Sequence, residues 1–356
     1  MKMTRFGRLF LIILLLMGLL LATTGLVCGE EEEIVTDTIE AVPEENGEAI
    51  IAERALEVLA TTPPGGVDYT ANSIFGVALA EKLADPAEAE NIYILDIRDQ
   101  EDFDQGHIEG AVRIDFQDWA EPETLAMLPE DDKIIVVGYR ENTEAQVVMG
   151  LRMLGFDAAI IRGGMSGWAQ TPQTQETVAD LADTNLPVVA GPPDETAAPA
   201  PENGPLTQPS DDDYDLIADK AAEVMRDMPM TGDFANYSIT APVLYEKLSG
   251  DEAEDLFLLD IRGLNEYELG HIEGAVNIPF RAGMVPENLE MLPKDKTIVV
   301  ICYTANTAAQ LNMMLRMLDY DAVVLDYAMM AWDGSGKEGY LNDIQAANNP
   351  VVVGVS

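Results

Sequence analysis

"LFLLDIRGLNEYELGHIEGAVNIPF", residues 256–280, has a close copy earlier in the chain, "IYILDIRDQEDFDQGHIEGAVRIDF" at 92–116. The register between the copies is constant. The same offset carries Asp96 to Asp260, Gly106 to Gly270, Gly138 to Cys302 and Trp168 to Trp332. "VDYTANSI" (67–74) pairs with "GDFANYSI" (232–239), one residue off that register. The lead-ins "AERALEVLA" (52–60) and "ADKAAEVMR" (218–226) correspond, and Leu186-Pro187-Val188-Val189 matches Asn349-Pro350-Val351-Val352. The chain of 356 residues therefore holds one unit twice, each copy of ordinary domain size.

Within each copy, short apolar runs alternate with helical periodicity. "LFLLDI" and "TIVVIC" are compact, β-rich and bounded by polar turns, the pattern of buried parallel strands. Leu311, Met314, Leu315 and Leu318 follow at i, i+3, i+4 and i+7, one apolar stripe of an amphipathic helix. "YDAVVLD" (320–326) reads as the next strand. Strand–helix–strand alternation predicts an α/β domain with a parallel sheet covered on both faces. The many methionines (284, 291, 313, 314, 317, 329 and 330) read as core filler.

The rest of the chain divides around these copies. Lys2, Arg5 and Arg8 precede an unbroken apolar run from Leu9 to Leu21, so residues 1–29 read as a signal peptide or membrane anchor. Three outcomes compete: cleavage after Gly29, lipidation of Cys28, or retention as a span. All three place the folded part outside the cytoplasm, secreted or anchored to the cell membrane. Residues 30–47 form an acidic tether, 48–190 the first domain, 191–213 a Pro-rich acidic linker and 214–356 the second domain. The net charge of −44 argues against nucleic-acid binding, which needs clustered Arg and Lys.

Cys302 is the one cysteine outside the leader, and an exported lone thiol stands out. It ends a strand, with a helix expected six residues on. A turn there aims backbone N–H groups inward beside a positive helix N-terminus, which lowers a thiol's pKa and favours the nucleophilic thiolate. Ligand sites in open α/β sheets lie beyond the carboxyl ends of the strands, where this cysteine falls. The matching residue in the first copy is Gly138, followed by Arg140. His107 and His271, the only histidines, both sit in the "GHIEGA" turn and read as structural caps, with no metal site around them. Asp96 with Arg98, and Asp260 with Arg262, read as a structural ion-pair network at the strand ends.

These residues resemble the rhodanese-like family: Asp96-Ile97-Arg98 with "GHIEGAVRI", Asp260-Ile261-Arg262 with Glu266-Tyr267 and "GHIEGAVNIPF", and the loop "CYTANT" (302–307). The resemblance covers nearly all of both copies. It implies two domains, each a parallel central sheet of about five strands flanked by helices, with a catalytic cysteine in the second domain alone. It further implies that Cys302 attacks the sulfane sulfur of a donor such as thiosulfate, and that its persulfide is cradled by the amides of Tyr303, Thr304, Ala305, Asn306 and Thr307. A thiol or other thiophilic acceptor then takes the sulfur, with no cofactor. Many family loops carry Gly and Arg where this chain has Ala305 and Thr307. The family's Gly-Gly turn stands at Gly163-Gly164 but is Tyr327-Ala328 in the second copy. Ala308 stands where a phosphatase relative needs Arg, which excludes that activity. Two functions remain: an exported sulfurtransferase, or a non-catalytic binding or sulfur-delivery module serving a membrane-bound partner.

Overall fold

A computed structural model describes residues 44–61, 69–171, 174, 184–345 and 348–354. The leader with Cys28, and the tether up to residue 43, lie outside the described residues. The first sheet contains β1 (Tyr69–Thr70), β2 (Ser73–Ile74), β3 (Ile92–Asp96), β4 (Val112–Arg113), β5 (Lys133–Val137) and β6 (Ala158–Ile161), ordered β1-β2-β6-β5-β3-β4. The second contains β7 (Ser238–Ile239), β8 (Leu256–Asp260), β9 (Val276–Asn277), β10 (Thr297–Ile301) and β11 (Ala322–Leu325), ordered β7-β11-β10-β8-β9 and parallel throughout. The sixth strand of the first sheet, β1, is antiparallel to β2. Ala71 and Asn72 between them both have positive φ, the geometry of a tight two-residue hairpin. The fold class is α/β, as the strand–helix alternation predicts.

Strand alternation divides the apolar residues among three cores. Leu95, Val136 and Ile160 of the first sheet, and Leu259, Val300 and Val324 of the second, point into one shared cluster. Their neighbours Ile94, Ile135 and Ile161, and Leu258, Val299 and Leu325, point to two separate outer clusters. Helices α1 (Glu44–Thr61), α2 (Asn142–Met153), α3 (Asp211–Arg226) and α4 (Asn306–Met317) fill the space between the sheets, with α2 packed along α4. Leu311, Met313, Met314 and Leu315 are fully buried because α4 lies between its own sheet and the other domain's helices. Met284, Met317, Met329 and Met330 are buried too, filling apolar space.

Segments outside the two sheets also cross between the halves. Arg281 of the second domain donates to the Leu59 and Ala60 carbonyls of α1, and α3 packs on the 3-10 turn Phe116–Asp118 of the first. The tails are exchanged. Leu186 N–H donates to the Trp332 carbonyl at 2.7 Å and Trp332 Nε1 to Pro187 O at 2.9 Å, while Val189 and His271 exchange two backbone bonds at 2.9 Å. Reciprocally, Trp168 Nε1 donates to Pro350 O at 3.0 Å, and Val352 pairs with His107.

The Pro-rich segment after Gly191 is extended but docked. Ala198 exchanges two hydrogen bonds with the Asn288 side chain, Gln208 donates to Gly155 O at 2.8 Å, and Arg54 donates to Thr207 O at 3.0 Å. Its last acidic residues, Asp211 to Asp213, already form the first turn of α3, where carboxylates favour the helix dipole and Ser210 caps the end.

Trp119 is fully buried against α2 at Gly150, where an added Cβ would lie 2.1 Å from the indole ring. The matching residue of α4 is Met314. Gly150→Ala should lower the unfolding free energy by about 1–3 kcal/mol through overpacking. The measurement is a shift of the urea midpoint with m unchanged.

Candidate active site

Cys302 directly follows β10 and is 2% exposed. α4 begins at Asn306, earlier than the apolar stripe alone suggests, because Ala305 turns the chain sharply at φ +91°. That turn aims the Ala305 N–H at the Cys302 sulfur, 3.3 Å away. The Thr304 and Ala308 amides and the Thr307 hydroxyl also face the sulfur. Tyr303 and Asn306 face elsewhere: the Tyr303 ring is exposed beside the Arg262 guanidinium, and Asn306 Nδ2 donates to Ala71 O of the first domain. The donors that meet the sulfur are thus the Thr304, Ala305 and Ala308 amides and the Thr307 hydroxyl.

The expected lowering of the thiol's pKa does not hold in this closed loop. Burial pushes the Cys302 thiol up, and the four hydrogen bonds pull it back only in part. Desolvation wins because the sulfur is sealed under its own loop, and the compensating donors are neutral.

The turn Tyr327-Ala328 keeps the shape that Gly163-Gly164 has in the first domain. All four residues have positive φ: 77° and 55° for the glycines, 52° and 44° for Tyr327 and Ala328. In both domains the turn reaches the loop. Met329 N–H donates to Cys302 O at 3.2 Å, and Met165 N–H to Gly138 O at 2.9 Å.

The network beneath each loop is duplicated. Arg262 grips Asp260 through Nε and Nη2 and donates to Gly270 O at 2.7 Å; Arg98 grips Asp96 and donates to Gly106 O at 2.9 Å. These bidentate pairs tie each strand end to the "GHIEGA" turn. His271 Nδ1 lies 2.8 Å from Tyr267 O with its ring stacked on Tyr267, and His107 does the same with Phe103. Among the described residues no group of His, Cys, Asp and Glu is arranged to hold a metal ion.

In the first domain the space above Gly138 is filled by Glu144. A Cβ built on Gly138 would lie 2.6 Å from Glu144 Oε2, and one on Gly164 would lie 2.7 Å from Oε1. Glu144 is fully buried, its Oε1 has no hydrogen-bond partner among the described residues, and burial pushes its carboxyl up to about 7. Glu141, also buried, accepts from Gly163 N–H at 2.9 Å and from the Thr304 hydroxyl of the other domain. Arg140 pairs with Asp326 of the second domain at 2.7 Å, and its guanidinium lies 5.3 Å from the Tyr327 ring centre. Sequence reasoning passed over Glu141 and Glu144. A signal was present: "GYRENTE" has Glu at both positions where "CYTANTA" has Ala.

Two outcomes follow from this geometry. Gly138→Cys should be strongly destabilising, because buried Glu144 has nowhere to retreat, whereas Gly138→Cys with Glu144→Ala should recover most of the loss in urea denaturation. Ala305→Gly should be neutral or stabilising by up to about 1 kcal/mol, since it relieves a left-handed alanine. The same change at buried, helical Ala309 should cost about 1 kcal/mol or more.

The rhodanese-like domain model matches the chain twice, at residues 79–171 and 240–335, together more than half of it. YtwF of Bacillus subtilis (strain 168), which its name assigns to the sulfurtransferases, is 36% identical over 99 residues, 28% of this chain and 92% of that protein. MoeZ of Mycobacterium tuberculosis, assigned by name as an adenylyltransferase/sulfurtransferase, is 34% identical over 83 residues, and the chain spans 21% of its length. The crystal structure of SseA from Escherichia coli aligns over 72% of this chain and 98% of that one, with 20% identity and a TM-score of 0.27. With the family pattern present in both halves, and a cysteine loop in only one of them, the chain belongs to the rhodanese-like domain family as a tandem, two-domain member.

Proposed function

We infer that the protein is a sulfurtransferase, exported by its leader, that carries sulfane sulfur on Cys302. The observation that carries this reading is the Cys302 sulfur itself, set at the carboxyl end of a central parallel strand and met by three amides and one hydroxyl. Sulfur transfer is also what the names of the relatives YtwF and MoeZ state for those proteins.

The chemistry needs one nucleophile. The Cys302 thiolate attacks the outer sulfur of a donor such as thiosulfate, the donor's S–S bond breaks, and sulfite leaves with the electron pair. The Cys302 persulfide that results keeps its charge next to the Thr304, Ala305 and Ala308 amides, which are fixed before the reaction begins. A thiolate acceptor then attacks the terminal sulfur, and Cys302 leaves as thiolate, a double displacement. Arg262, paired with Asp260, holds the floor of the site. The first domain, with Gly138 at the matching position, supplies no nucleophile.

The second reading, a sulfur-delivery module without its own turnover, draws on the near-complete burial of the thiol and its raised pKa. Export and a membrane-bound partner rest on the leader sequence. No helix of the described residues is long and apolar enough to cross a membrane.

Incubation with a sulfane-sulfur donor should add one sulfur atom to the Cys302 peptide, read by mass spectrometry, and Cys302→Ala should abolish it. A wild-type protein that never gains sulfur removes this reading. Because burial raises the thiol, the loading rate should climb from neutral pH through the ordinary thiol value of 9.0 instead of levelling off near neutrality.

A further inference from the structure

We propose that Glu141, a residue of the first domain, is a specificity-determining residue of the Cys302 site: its carboxylate disfavours dianionic sulfur donors and leaves the site to donors of lower charge, the persulfides R–S–SH. This rests on the sulfur-transfer reading and names its donor class.

Thr304 links the two domains at the site. Its amide faces the Cys302 sulfur, and its hydroxyl donates to Glu141 Oε2. The Glu141 charge therefore lies one residue's span from the reacting atom, and Glu141 is only 2% exposed, so water screens it little. Both carboxylate oxygens accept, Oε1 from Gly163 N–H and Oε2 from Thr304; burial pushes the carboxyl up, while the Arg162 charge and the bonds from Thr304, Gly163 and Tyr340 pull it back toward the ionised form.

The neighbouring cations offset this charge only in part. Arg262 is matched to Asp260, and Arg140 to Asp326. Arg162 faces Glu141 itself. Thr307 and Ala308 bring no charge to the loop. A dianion entering here meets four neutral donors and a carboxylate. A persulfide meets the same four donors with less repulsion as a monoanion and with none in the protonated form R–S–SH. In the resulting step the Cys302 thiolate attacks the terminal sulfur of R–S–SH, the S–S bond breaks, and R–S⁻ leaves with the electron pair. The proton stays on the transferred sulfur, giving Cys302–S–SH.

The test uses the full chain carrying Cys28→Ser and three small methanethiosulfonates, anionic, neutral and cationic, with the rate of Cys302 labelling at pH 8 as readout. Glu141→Gln preserves the shape: its amide oxygen still accepts from Gly163 N–H, and its NH₂ can donate to the Thr304 hydroxyl. Relative to the neutral reagent, it should speed the anionic one and slow the cationic one, each on the order of three- to tenfold. Glu141→Ala, the residue of the live loop at that position, should shift both rates in the same directions. Exposed Glu130→Gln, with the same change in net charge, should shift neither. Equal changes for all three reagents, or none, would overturn the proposal, since a purely structural role does not sort reagents by charge. Labelling that sorts by charge in a protein that no donor loads with sulfur would leave Glu141's effect standing and count against sulfur transfer instead.

Discussion

Each sheet of this protein has two apolar faces, and one face of each is covered by a helical layer that both domains share. The inner residues of β3, β5 and β6 and those of β8, β10 and β11 end in a single cluster, with α2 and α4 side by side at its centre. At roughly 25 cal/mol per Å² of apolar surface removed from water, neither half could leave that face bare and keep its stability. The first domain is therefore kept by its packing whatever happens to its chemistry. With glycine at position 138 it has no thiol there, and its core is packed all the same. The exchanged tails and the docked linker add backbone hydrogen bonds to the same union, so the two halves are one folding unit in physical terms.

The active-site loops lead into α2 and α4, so packing these helices together brings the loops together. The loop of the first domain becomes a wall of the second domain's site, through Glu141 to Thr304 and Arg140 to Asp326. The cradle that holds a thiol in one half holds a carboxyl in the other. Glu144 reaches from the first turn of α2 to where a side chain on residue 138 would stand. No side chain stands at Gly138 beside the N-terminus of α2, and a buried acid with its pKa near neutral fills that space.

The repeats, the strands and the position of Cys302 are readable from sequence because each rests on local pattern: alternation, apolar runs and a constant offset. What crosses between domains is not. Leu186-Pro187-Val188-Val189 could dock equally well, by pattern, on its own Trp168 or on Trp332; the choice depends on where the two sheets place those indoles. The linker's proline and acidic composition likewise says that it cannot form a core, yet Asn288, Gly155 and Arg54 tie it down one polar contact at a time. The thiol's raised pKa is a question of depth. The sequence places a run of amides beside the sulfur, while which of them face it, and the burial that outweighs them, are set by the closed loop above it.

Three left-handed residues without glycine's freedom surround that loop: Ala305, Tyr327 and Ala328. Each conformation costs about 1–2 kcal/mol relative to a right-handed one, and such strain persists only where packing over-determines the backbone. For Tyr327 the return is visible. Its ring is 6% exposed in the outer core of the second domain, and a buried aromatic is worth about 2–3 kcal/mol. The same ring sits beneath Arg140, which in turn pairs with Asp326 next along the chain. Tyrosine where the first domain has glycine exchanges conformational ease for burial and a second contact between the domains. The turn keeps its shape for the opposite reason from its partner in the first domain: Gly163-Gly164 adopts it freely, whereas Tyr327-Ala328 is held in it by the burial of both residues and the contact of the Tyr327 ring with Arg140.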